Sequence, residues 1–318
     1  MSYDMTKMDV TSWKNYIKES KTNKRKIKYN PFYNKQRLVK DKYKFVFGKE
    51  LDLNNLQTFT EKLNGYKLND KLMRKLSRYA DKHYAKKYVR EKIGSKHIIK
   101  EYFYKDKIEV SDLEKLPNQF VLKTTLGSGT NFIVKDKSKV NLQEICDYMN
   151  FLTQLEYGYI HGEFLYNYEK NRIIAEELLV DDKNSIPDDL KCFCFQDNDG
   201  NKRKILYVER VIGDERERIM LDENWNTVEY NSNFKKLDDK IPKPKNLKEI
   251  LKVIDKLSED FNFVRVDLFL FDKKIYFGEL TFIPTAGYLK FENPNHDLEW
   301  GSWIGNDKEE TIKEIKAS

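Results

Sequence analysis

Residues 263–281 hold the feature that most constrains the fold, a predicted β-hairpin with an acidic side chain on each strand. Two apolar-rich runs flank a polar loop after Phe271, which is the usual pattern of a hairpin. If the loop has three residues, Phe271 pairs with Ile275, and Asp267 then lies directly opposite Glu279. A two-residue loop would instead send the two carboxylates to opposite faces, so the prediction depends on the register.

If paired, Asp267 and Glu279 lie within roughly 5 Å of each other on one face. Like charges at that distance destabilise a sheet unless a positive charge lies between them. A divalent cation meets this need, because Mg²⁺ binds one or two carboxylates together with phosphate oxygens. The alternative is a solvated face on which Arg265 forms an ion pair with Asp267. The residues alone leave both interpretations open.

The composition is that of a globular protein, since 35% of the 318 residues are charged, 39% are hydrophobic and 14% are aromatic. No apolar run approaches the roughly 18 residues of a membrane span, and the N-terminus lacks the apolar core of a signal peptide. We therefore expect a cytoplasmic protein without a transmembrane segment. Cys146, Cys192 and Cys194 are not in metal-ligand spacing and are expected to be reduced, buried thiols.

The net charge of +7 at pH 7 favours an anionic partner such as a nucleotide, a polyanionic polymer or a membrane surface. Much of the excess of lysine and arginine lies in residues 14–44. A solubilising surface explains the same charge. No nucleic-acid-binding signature of the RRM or zinc-finger kind is present, so a nucleic-acid partner is not expected.

The spacing of apolar residues changes near residue 97 from one typical of helices to one typical of strands. Before that point, apolar side chains recur every four residues from Leu72 to Tyr88, which indicates an amphipathic helix. Asp81 is expected to cap a helix beginning at Lys82, and Gly94 to end it.

Two predicted strands, residues 119–125 and 131–136, flank a small-residue turn at 127–130 (GSGT). Such a loop, with Lys123 just before it, can surround phosphate oxygens with backbone N–H groups and hydroxyls. It is not a Walker A loop, because no Gly-Lys-Ser/Thr follows and no helix begins directly after it. The alternative is an ordinary hairpin turn.

Further elements follow in order: a helix, a strand over 172–179, a hairpin around 197–200, a helix over 246–261 and the hairpin at 263–281. This order predicts an α+β protein with antiparallel sheets. The charged segment around 308–316 predicts a last helix.

These features together resemble the ATP-grasp superfamily, and more closely its TupA-like branch, which is linked to bacterial cell-surface polysaccharide biosynthesis. The resemblance covers roughly residues 79–291. Its most specific stretches are FVLKTTLGSGTNFIVKDKS from Phe120 and FVRVDLFLFDKKIYFGELTFIP from Phe263. It implies the ATP-grasp fold, in which two α+β subdomains with antiparallel sheets clasp ATP.

The implied organisation has a mostly helical N-terminal region over residues 1–96, followed by an ATP-grasp domain over 97–318. The N-terminal subdomain, about 97–178, would carry the phosphate flap. The C-terminal subdomain, about 179–318, would carry the Mg²⁺ site.

The resemblance also assigns residues to ATP. Lys82 and Lys123 would contact its phosphates, and the turn 127–130 would close over them as a mobile flap. Backbone groups of the connector between the subdomains would bind adenine, and Asp189, in preference to Asp182, would hold the ribose hydroxyls. The alternative is that Lys82, Lys123 and Asp189 are ordinary charged residues of the surface with no role in ATP binding. The implied ATP-binding set is Lys82, Lys123, Gly127, Ser128, Gly129, Thr130, Glu176, Glu177, Leu179 and Asp189.

By the same resemblance, Asp267 and Glu279 match the Mg²⁺ ligands, and Arg265 would stabilise charge on the transferred phosphate. The wider superfamily has an asparagine two residues after the glutamate, where this chain has Thr281, so the third metal contact stays open. Arg210 would hold phosphate or the acceptor carboxylate. The implied catalytic residues are Arg265, Lys123 and Arg210, and the implied metal ligands are Asp267, Glu279 and Thr281.

The implied activity is that of an ATP-dependent carboxylate–amine ligase, in which ATP phosphorylates a carboxylate and an amine then displaces phosphate. Such catalysis relies on positioning and charge neutralisation, so no covalent nucleophile is required. The expected substrates are a small amine or amino acid and a sugar-acid or polysaccharide acceptor. With such substrates, the protein could contact a membrane-bound assembly complex peripherally. A sugar kinase and a non-catalytic ATP-grasp module in polysaccharide assembly stay open as alternatives.

Overall fold

The computed structural model describes residues 10–180, 187, 189–212, 215–230, 235–236 and 241–305. The last helix expected around 308–316, and Asp182 as an alternative ribose ligand, lie outside the described residues. None of the helices in the described part of the chain is long and apolar enough to cross a membrane. Cys146, Cys192 and Cys194 are buried free thiols, as predicted.

The N-terminal region is helical, as predicted. Its described helices are α1 (Val10–Tyr29), α2 (Lys35–Phe47), α3 (Phe59–Tyr66), α4 (Asp70–Ala80) and α5 (Ala85–Ile93). The predicted helix start at Lys82 is wrong. The Asp81 carboxylate instead accepts hydrogen bonds from the N–H groups of His83 and Tyr84 in the break between α4 and α5. Gly94 ends α5 as predicted, with φ of 90°.

The first sheet is antiparallel, with the strand order β1-β4-β2-β3. Its strands are β1 (Glu101–Lys105), β2 (Phe120–Thr124), β3 (Asn131–Val134) and β4 (Ile173–Glu177), and the helices between them in the chain are α6 (Val110–Glu114), α7 (Leu142–Leu152) and α8 (Gly158–His161). The side chain of Asn141 caps α7. Phe120 and Leu122 of β2 share a core with Ile145 and Met149 of α7.

The second sheet has the order β10-β9-β5-β6-β7-β8, and all neighbours are antiparallel except β7 and β8. Its described strands are β5 (Asp189–Gln196), β6 (Lys202–Ile212), β7 (Glu215–Leu221), β8 (Lys235–Lys236), β9 (Phe263–Phe271) and β10 (Lys274–Thr281). Helix α9 (Leu247–Ser258) precedes β9, and α10 (Pro294–Ser302) follows β10. The two sheets confirm the predicted α+β class.

Side chains alternate between the two faces of this second sheet. One face is apolar and shares a single core with α4, α5 and α9. This core contains Leu76 of α4, Tyr88 of α5, Ile254 of α9, and Val266 and Leu268 of β9. Helices α4 and α5 precede every strand in the chain, yet they complete the packing of the sheet formed last.

The opposite face of the second sheet is aromatic at one end and polar at the other. At the aromatic end, Phe263 lies 5.1 Å from Phe59 of α3, and Phe193 lies 5.0 Å from Trp300 of α10, between ring centroids. The polar end carries Asp267 and its neighbours. A cleft between the two sheets therefore has one wall of ionisable side chains.

Candidate functional site

The β9–β10 turn is shorter than predicted. Only Asp272 and Lys273 lie between the strands, both with positive φ (48° and 60°), as a tight two-residue hairpin turn requires. Phe271 therefore pairs with Lys274, and the predicted pairing with Ile275 is wrong. A regular ladder from this turn would place the two acidic side chains on opposite faces.

A β-bulge at Gly278 restores the predicted pairing. Phe277 pairs with Leu268, and the next pair along the ladder is Glu279 with Asp267, which leaves Gly278 as the extra residue. A Cβ at position 278 would lie only 3.0 Å from the Asp267 carbonyl oxygen, so glycine suits this close approach. The two carboxylates are cross-strand partners on the polar face.

Arg265 supplies the positive charge between these carboxylates. Its Nε and Nη2 donate to the two oxygens of Asp267 at 2.7 Å each, and Nη2 also donates to Glu279 Oε1 at 2.9 Å. The Thr281 hydroxyl donates to Glu279 at 2.9 Å. The arginine pairing that was the alternative to a metal is thus present. Burial opposes ionisation of Glu279, but Arg265 and Lys82 outweigh it and lower the pKa of Glu279 to about 2.

The oxygen atoms here fit a Mg²⁺ ion only in company with phosphate. Within the described ranges, no group of three or more His, Cys, Asp or Glu residues is placed to hold a metal ion. Asp267 and Glu279 offer two carboxylates, with the Thr281 hydroxyl beside them. Two carboxylates completed by phosphate oxygens are what Mg²⁺ takes in nucleotide sites. The donor set therefore fits a metal that enters with a nucleotide.

Lys191 adds a second buried cation that sequence reasoning missed. Its Nζ lies 2.5 Å from Asp189 and 3.2 Å from Asp267. Burial disfavours the charged lysine, but the two carboxylates outweigh it and raise the pKa of Lys191 above its usual range. Strand alternation from Asp189 was the available signal, because Lys191 is the next residue on the same face.

Lys82 links the turn between β2 and β3 to the metal end of the site. Its Nζ donates to the carbonyl oxygen of Gly127 at 2.7 Å. Burial lowers the pKa of Lys82, and the charge of Glu279 opposes this shift. Lys82 therefore contacts the turn directly, and the charge of Glu279 acts on it.

The turn itself requires its glycines, because Gly127 and Gly129 have φ of 76° and 75°. A Cβ at Gly127 would lie 2.4 Å from the ring of Tyr157, and the Tyr157 hydroxyl bonds to Ser128 at 2.9 Å. Ser128 is exposed. Thr130 was expected among the phosphate-binding hydroxyls, but it is buried and bonds to a strand threonine at the base of the turn.

A mostly apolar pocket lies between the sheets. Its walls come from β2, β3, the connector after β4, and β9. The lining residues are Ile99, Val121, Lys123, Asn131, Ile133, Glu177, Leu178, Leu179, Pro187 and Phe269. A flat heteroaromatic ring fits such an apolar slot with a few polar groups at its rim.

Two residues expected at the pocket have different roles. Glu176 is buried and bonds Lys123 at 2.7 Å and Lys86 at 2.5 Å, so it positions the pocket lysine. Burial opposes its ionisation, but the two lysines outweigh it and lower the pKa of Glu176 to about 2. The Glu177 N–H donates to the Lys100 carbonyl at 2.9 Å and is not available to adenine.

The pocket and the carboxylates lie along one strand face. Phe269, Asp267 and Arg265 follow one another at alternate positions of β9, about 6.6 Å per step. Asp189 pairs with Phe269 across β5 and β9, beside the pocket wall. A ligand with an apolar ring in the pocket would therefore extend past Asp189 towards Asp267.

Arg210 does not join this group. Its position in β6 follows the alternation of Leu206 and Val208, which lie in the core on the helix-covered face. Its cross-strand partner is Glu217. The expected catalytic role of Arg210 is therefore corrected. Strand β7 contributes Arg218 to the polar face, where its guanidinium donates to Glu209.

A model of the TupA-like ATPgrasp family matches residues 61–305. Among solved structures, D-alanine–D-alanine ligase from Helicobacter pylori shows 15% identity over 71% of this chain and 61% of its own, with a TM-score of 0.42. The Bacillus anthracis D-alanine–D-alanine ligase shows 16% identity over 79% of this chain and 67% of its own, with a TM-score of 0.39.

N5-carboxyaminoimidazole synthetase from Staphylococcus aureus shows 10% identity over 64% of this chain and 44% of its own, with a TM-score of 0.34. The chain thus spans less than two thirds of the Staphylococcus aureus and Helicobacter pylori enzymes. Curated protein sequences gave no match. The family match extends from α3 past α10 and covers more than half of the sequence, so the chain belongs to the TupA-like ATP-grasp family.

Proposed function

We propose that the protein is an ATP-dependent carboxylate–amine ligase that modifies a bacterial cell-surface polysaccharide or its precursor. The observation that carries this proposal is the single strand face on which an apolar pocket leads to paired carboxylates. Phe269 closes the pocket, and Asp267 with Glu279 lies one step further along the face. This spacing suits an adenine ring in the pocket and phosphates at the carboxylates.

In this proposal the residues of the cleft bind and orient the nucleotide. Lys123 and Lys82 contact phosphates from the two sides of the turn 127–130. Asp267 and Glu279 would hold Mg²⁺, whose charge would offset that of the phosphates. Arg265 turns from these carboxylates towards the transferred phosphoryl group, where its charge stabilises the transition state.

The turn 127–130 excludes water from the reaction. An acylphosphate formed on the acceptor carboxylate would be lost to hydrolysis in an open cleft. The Ser128–Tyr157 hydrogen bond and the tight packing of Gly127 on the Tyr157 ring support the turn from one side. Closure of the turn lets an amine, and not water, reach the activated carbonyl carbon.

The substrates belong to the same proposal. The acceptor is a sugar acid or polysaccharide carboxylate, the second substrate is a small amine or amino acid, and the reaction takes place in the cytoplasm. The link of the TupA-like branch to bacterial cell-surface polysaccharide biosynthesis supports this choice.

The test is to incubate the full chain with ATP, Mg²⁺ and pairs of sugar acids and amines, measuring ADP and the product mass. An amide product supports the proposal, and Asp267→Asn should abolish it while Asp199→Asn, in an exposed turn, should not. A product that retains phosphate would identify a kinase instead. ATP binding without ADP release for any pair would identify a non-catalytic module.

A further inference from the structure

Helix α1 carries a row of basic side chains that the proposed nucleotide site does not use. They recur every three or four positions and so share one face of the helix, and at 1.5 Å per residue the row spans about 16 Å. Within the described part of the chain, none of them forms an ion pair. Helix α1 also lies outside residues 61–305, which match the family model. This basic row consists of the exposed residues Lys14, Lys18, Lys21 and Arg25.

The basic row forms one side of an open groove. The other side comes from α7, through Phe151 and through Gln154 just after the helix. Ile17 and Thr22 of α1 complete the lining. A helix that lies on a bilayer presents a protruding apolar face, whereas this site is concave and its charged side chains are exposed. The shape therefore suits an extended chain molecule.

The buried face of α1 holds the groove in place. Trp13 and Ile17 belong to the core that β2 and α7 share. The side chain of Asn23 donates to the carbonyl oxygen of Tyr159 at 2.8 Å. Both sides of the groove are therefore fixed to the same packed core, and the basic row keeps its position relative to α7.

One end of the basic row lies beside the phosphate flap. A Cβ on Gly129 of the turn 127–130 would lie 3.8 Å from the ring of Trp13, the residue before Lys14. From Lys14 the row continues along α1 to Arg25. A chain molecule that lies in the groove would therefore reach the flap at its Lys14 end.

The chemistry of the groove combines charge with apolar and hydrogen-bonding surface. Several weak ionic contacts along one ligand add up, because each contact raises the effective concentration for the next. Phe151 and Ile17 offer apolar surface to sugar rings, while Gln154 and Thr22 offer hydrogen bonds to hydroxyl groups.

We propose that this groove binds an anionic polysaccharide chain, whose uronic acid carboxylates contact the basic row. A carboxylate of the same chain beyond Lys14 then lies beside the flap turn, where ATP activates it. This inference rests on the proposed ligase function and makes its acceptor a polymer, not a single sugar acid.

The test measures binding to the full chain by calorimetry at low salt, with Mg²⁺ and a non-hydrolysable ATP analogue present. The probes are the monomers and hexamers of galacturonate and of mannuronate, with maltohexaose as a neutral chain. At least one uronate hexamer should bind about tenfold or more tightly than its monomer, because it contacts several residues of the row at once. Added salt should weaken this binding, and maltohexaose should not compete for the groove.

A matched pair of double variants separates the groove from net charge. Lys14→Gln with Lys18→Gln removes two exposed lysines, four positions apart, from the basic row. Lys248→Gln with Lys252→Gln removes two exposed lysines at the same spacing from α9. Both lower the net charge equally, and circular dichroism checks that both are folded. The first should weaken hexamer binding by about fivefold or more, whereas the second should leave it unchanged.

Equal hexamer affinity in the two double variants would overturn the inference, as would the absence of binding for both hexamers. A single-stranded oligonucleotide or a phosphatidylserine vesicle that binds more tightly than the hexamers, through Lys14 and Lys18, would overturn it too. The proposed function fails in a different way. If a hexamer binds through the row but no amine gives an amide with it or releases ADP, the groove stands and the ligase proposal falls. If amides form on monomers while neither hexamer binds, the ligase stands and the groove falls.

Discussion

Asp267 and Glu279 face each other across a hairpin whose two-residue turn would, in a regular ladder, keep them apart. The extra residue at Gly278 moves the register by one and brings both carboxylates to the polar face. The turn and the bulge are thus two irregularities that compensate each other. Their combination, and neither one alone, creates the pair that Arg265 bridges.

Gly278→Ala should disturb this register. The new Cβ would lie 3.0 Å from the Asp267 carbonyl oxygen and 3.3 Å from the Phe269 ring. We expect a loss of about 1–3 kcal/mol in the free energy of unfolding, as for other overpacked sites. Urea denaturation measures it, and titration with an ATP analogue should show weaker binding. Lys274→Ala, exposed on the same strand, is the control. Unchanged nucleotide affinity in Gly278→Ala would contradict a role for the bulge.

Gly127→Ala and Gly200→Ala form a matched pair, since both glycines have positive φ (76° and 85°). Each should lose about 1–2 kcal/mol of stability from the left-handed backbone. Only Gly127→Ala places a Cβ against the Tyr157 ring, at 2.4 Å. ADP release should therefore fall in Gly127→Ala and not in Gly200→Ala once both are compared as folded protein. Equal rates would show that the turn does not close over the site.

Glu176→Gln should be strongly destabilising, because it leaves Lys123 and Lys86 without their shared buried carboxylate. Breaking such a pair typically costs about 3–5 kcal/mol, and the lower end applies here because Glu101 still pairs with Lys86. Chemical denaturation at pH 7 tests this, with the exposed Glu177→Gln as control.

The loss of stability caused by Glu176→Gln should also depend on pH. The pKa of Glu176 is lowered from 4.5 to about 2 in the folded protein. Its stabilising contribution is therefore complete above pH 4.5 and is lost as the pH falls towards 2. Wild type and variant should converge in stability across that interval. A constant difference would mean that the carboxylate charge is not the cause.

Glu163→Gln should have the opposite effect on stability. Burial raises the pKa of Glu163 from 4.5 to about 7, with Lys67 opposing the shift. The folded protein then binds more protons than the unfolded chain between these values, so this residue makes stability fall as the pH rises from 4.5 to 7. Glu163→Gln should remove that fall.

The expected gain for Glu163→Gln is about 3 kcal/mol at pH 8, from 1.36 kcal/mol for each pKa unit. Thermal or urea unfolding measured from pH 5 to pH 8 provides the comparison. A variant less stable than the wild type at pH 8 would show that Glu163 holds the fold together through its charge.

The sequence predicted the acidic pair correctly but through the wrong register. Periodicity identifies strands and faces, whereas the position of a turn residue and a bulge depends on local backbone geometry. Gly278 within a strand was the available sign of a bulge. Arg210 was misplaced for a related reason, because its face follows from the β5–β6 register and not from its position near a strand end.

Glu163 lay beyond sequence reasoning. It follows α8 in a segment with little regular structure, and its burial depends on how that segment packs in the folded chain. Local patterns carry no information about such long-range placement. Lys123 and the turn glycines could be found because a short motif holds them close together in the chain, whereas Lys82 was assigned only through the family resemblance.

Helices α4 and α5 bury their apolar sides on a sheet that is complete only at Thr281, about 190 residues after α5 ends at Ile93. At synthesis rates of about 5–20 residues per second, roughly 10–40 s pass between the synthesis of α5 and that of the last strand of this sheet. During this interval the nascent chain exposes Leu76, Tyr88 and their neighbours to the cell. We therefore expect the ribosome-bound chain to be a client of chaperones that recognise apolar helices, and its folding to be completed after β10 has left the ribosome.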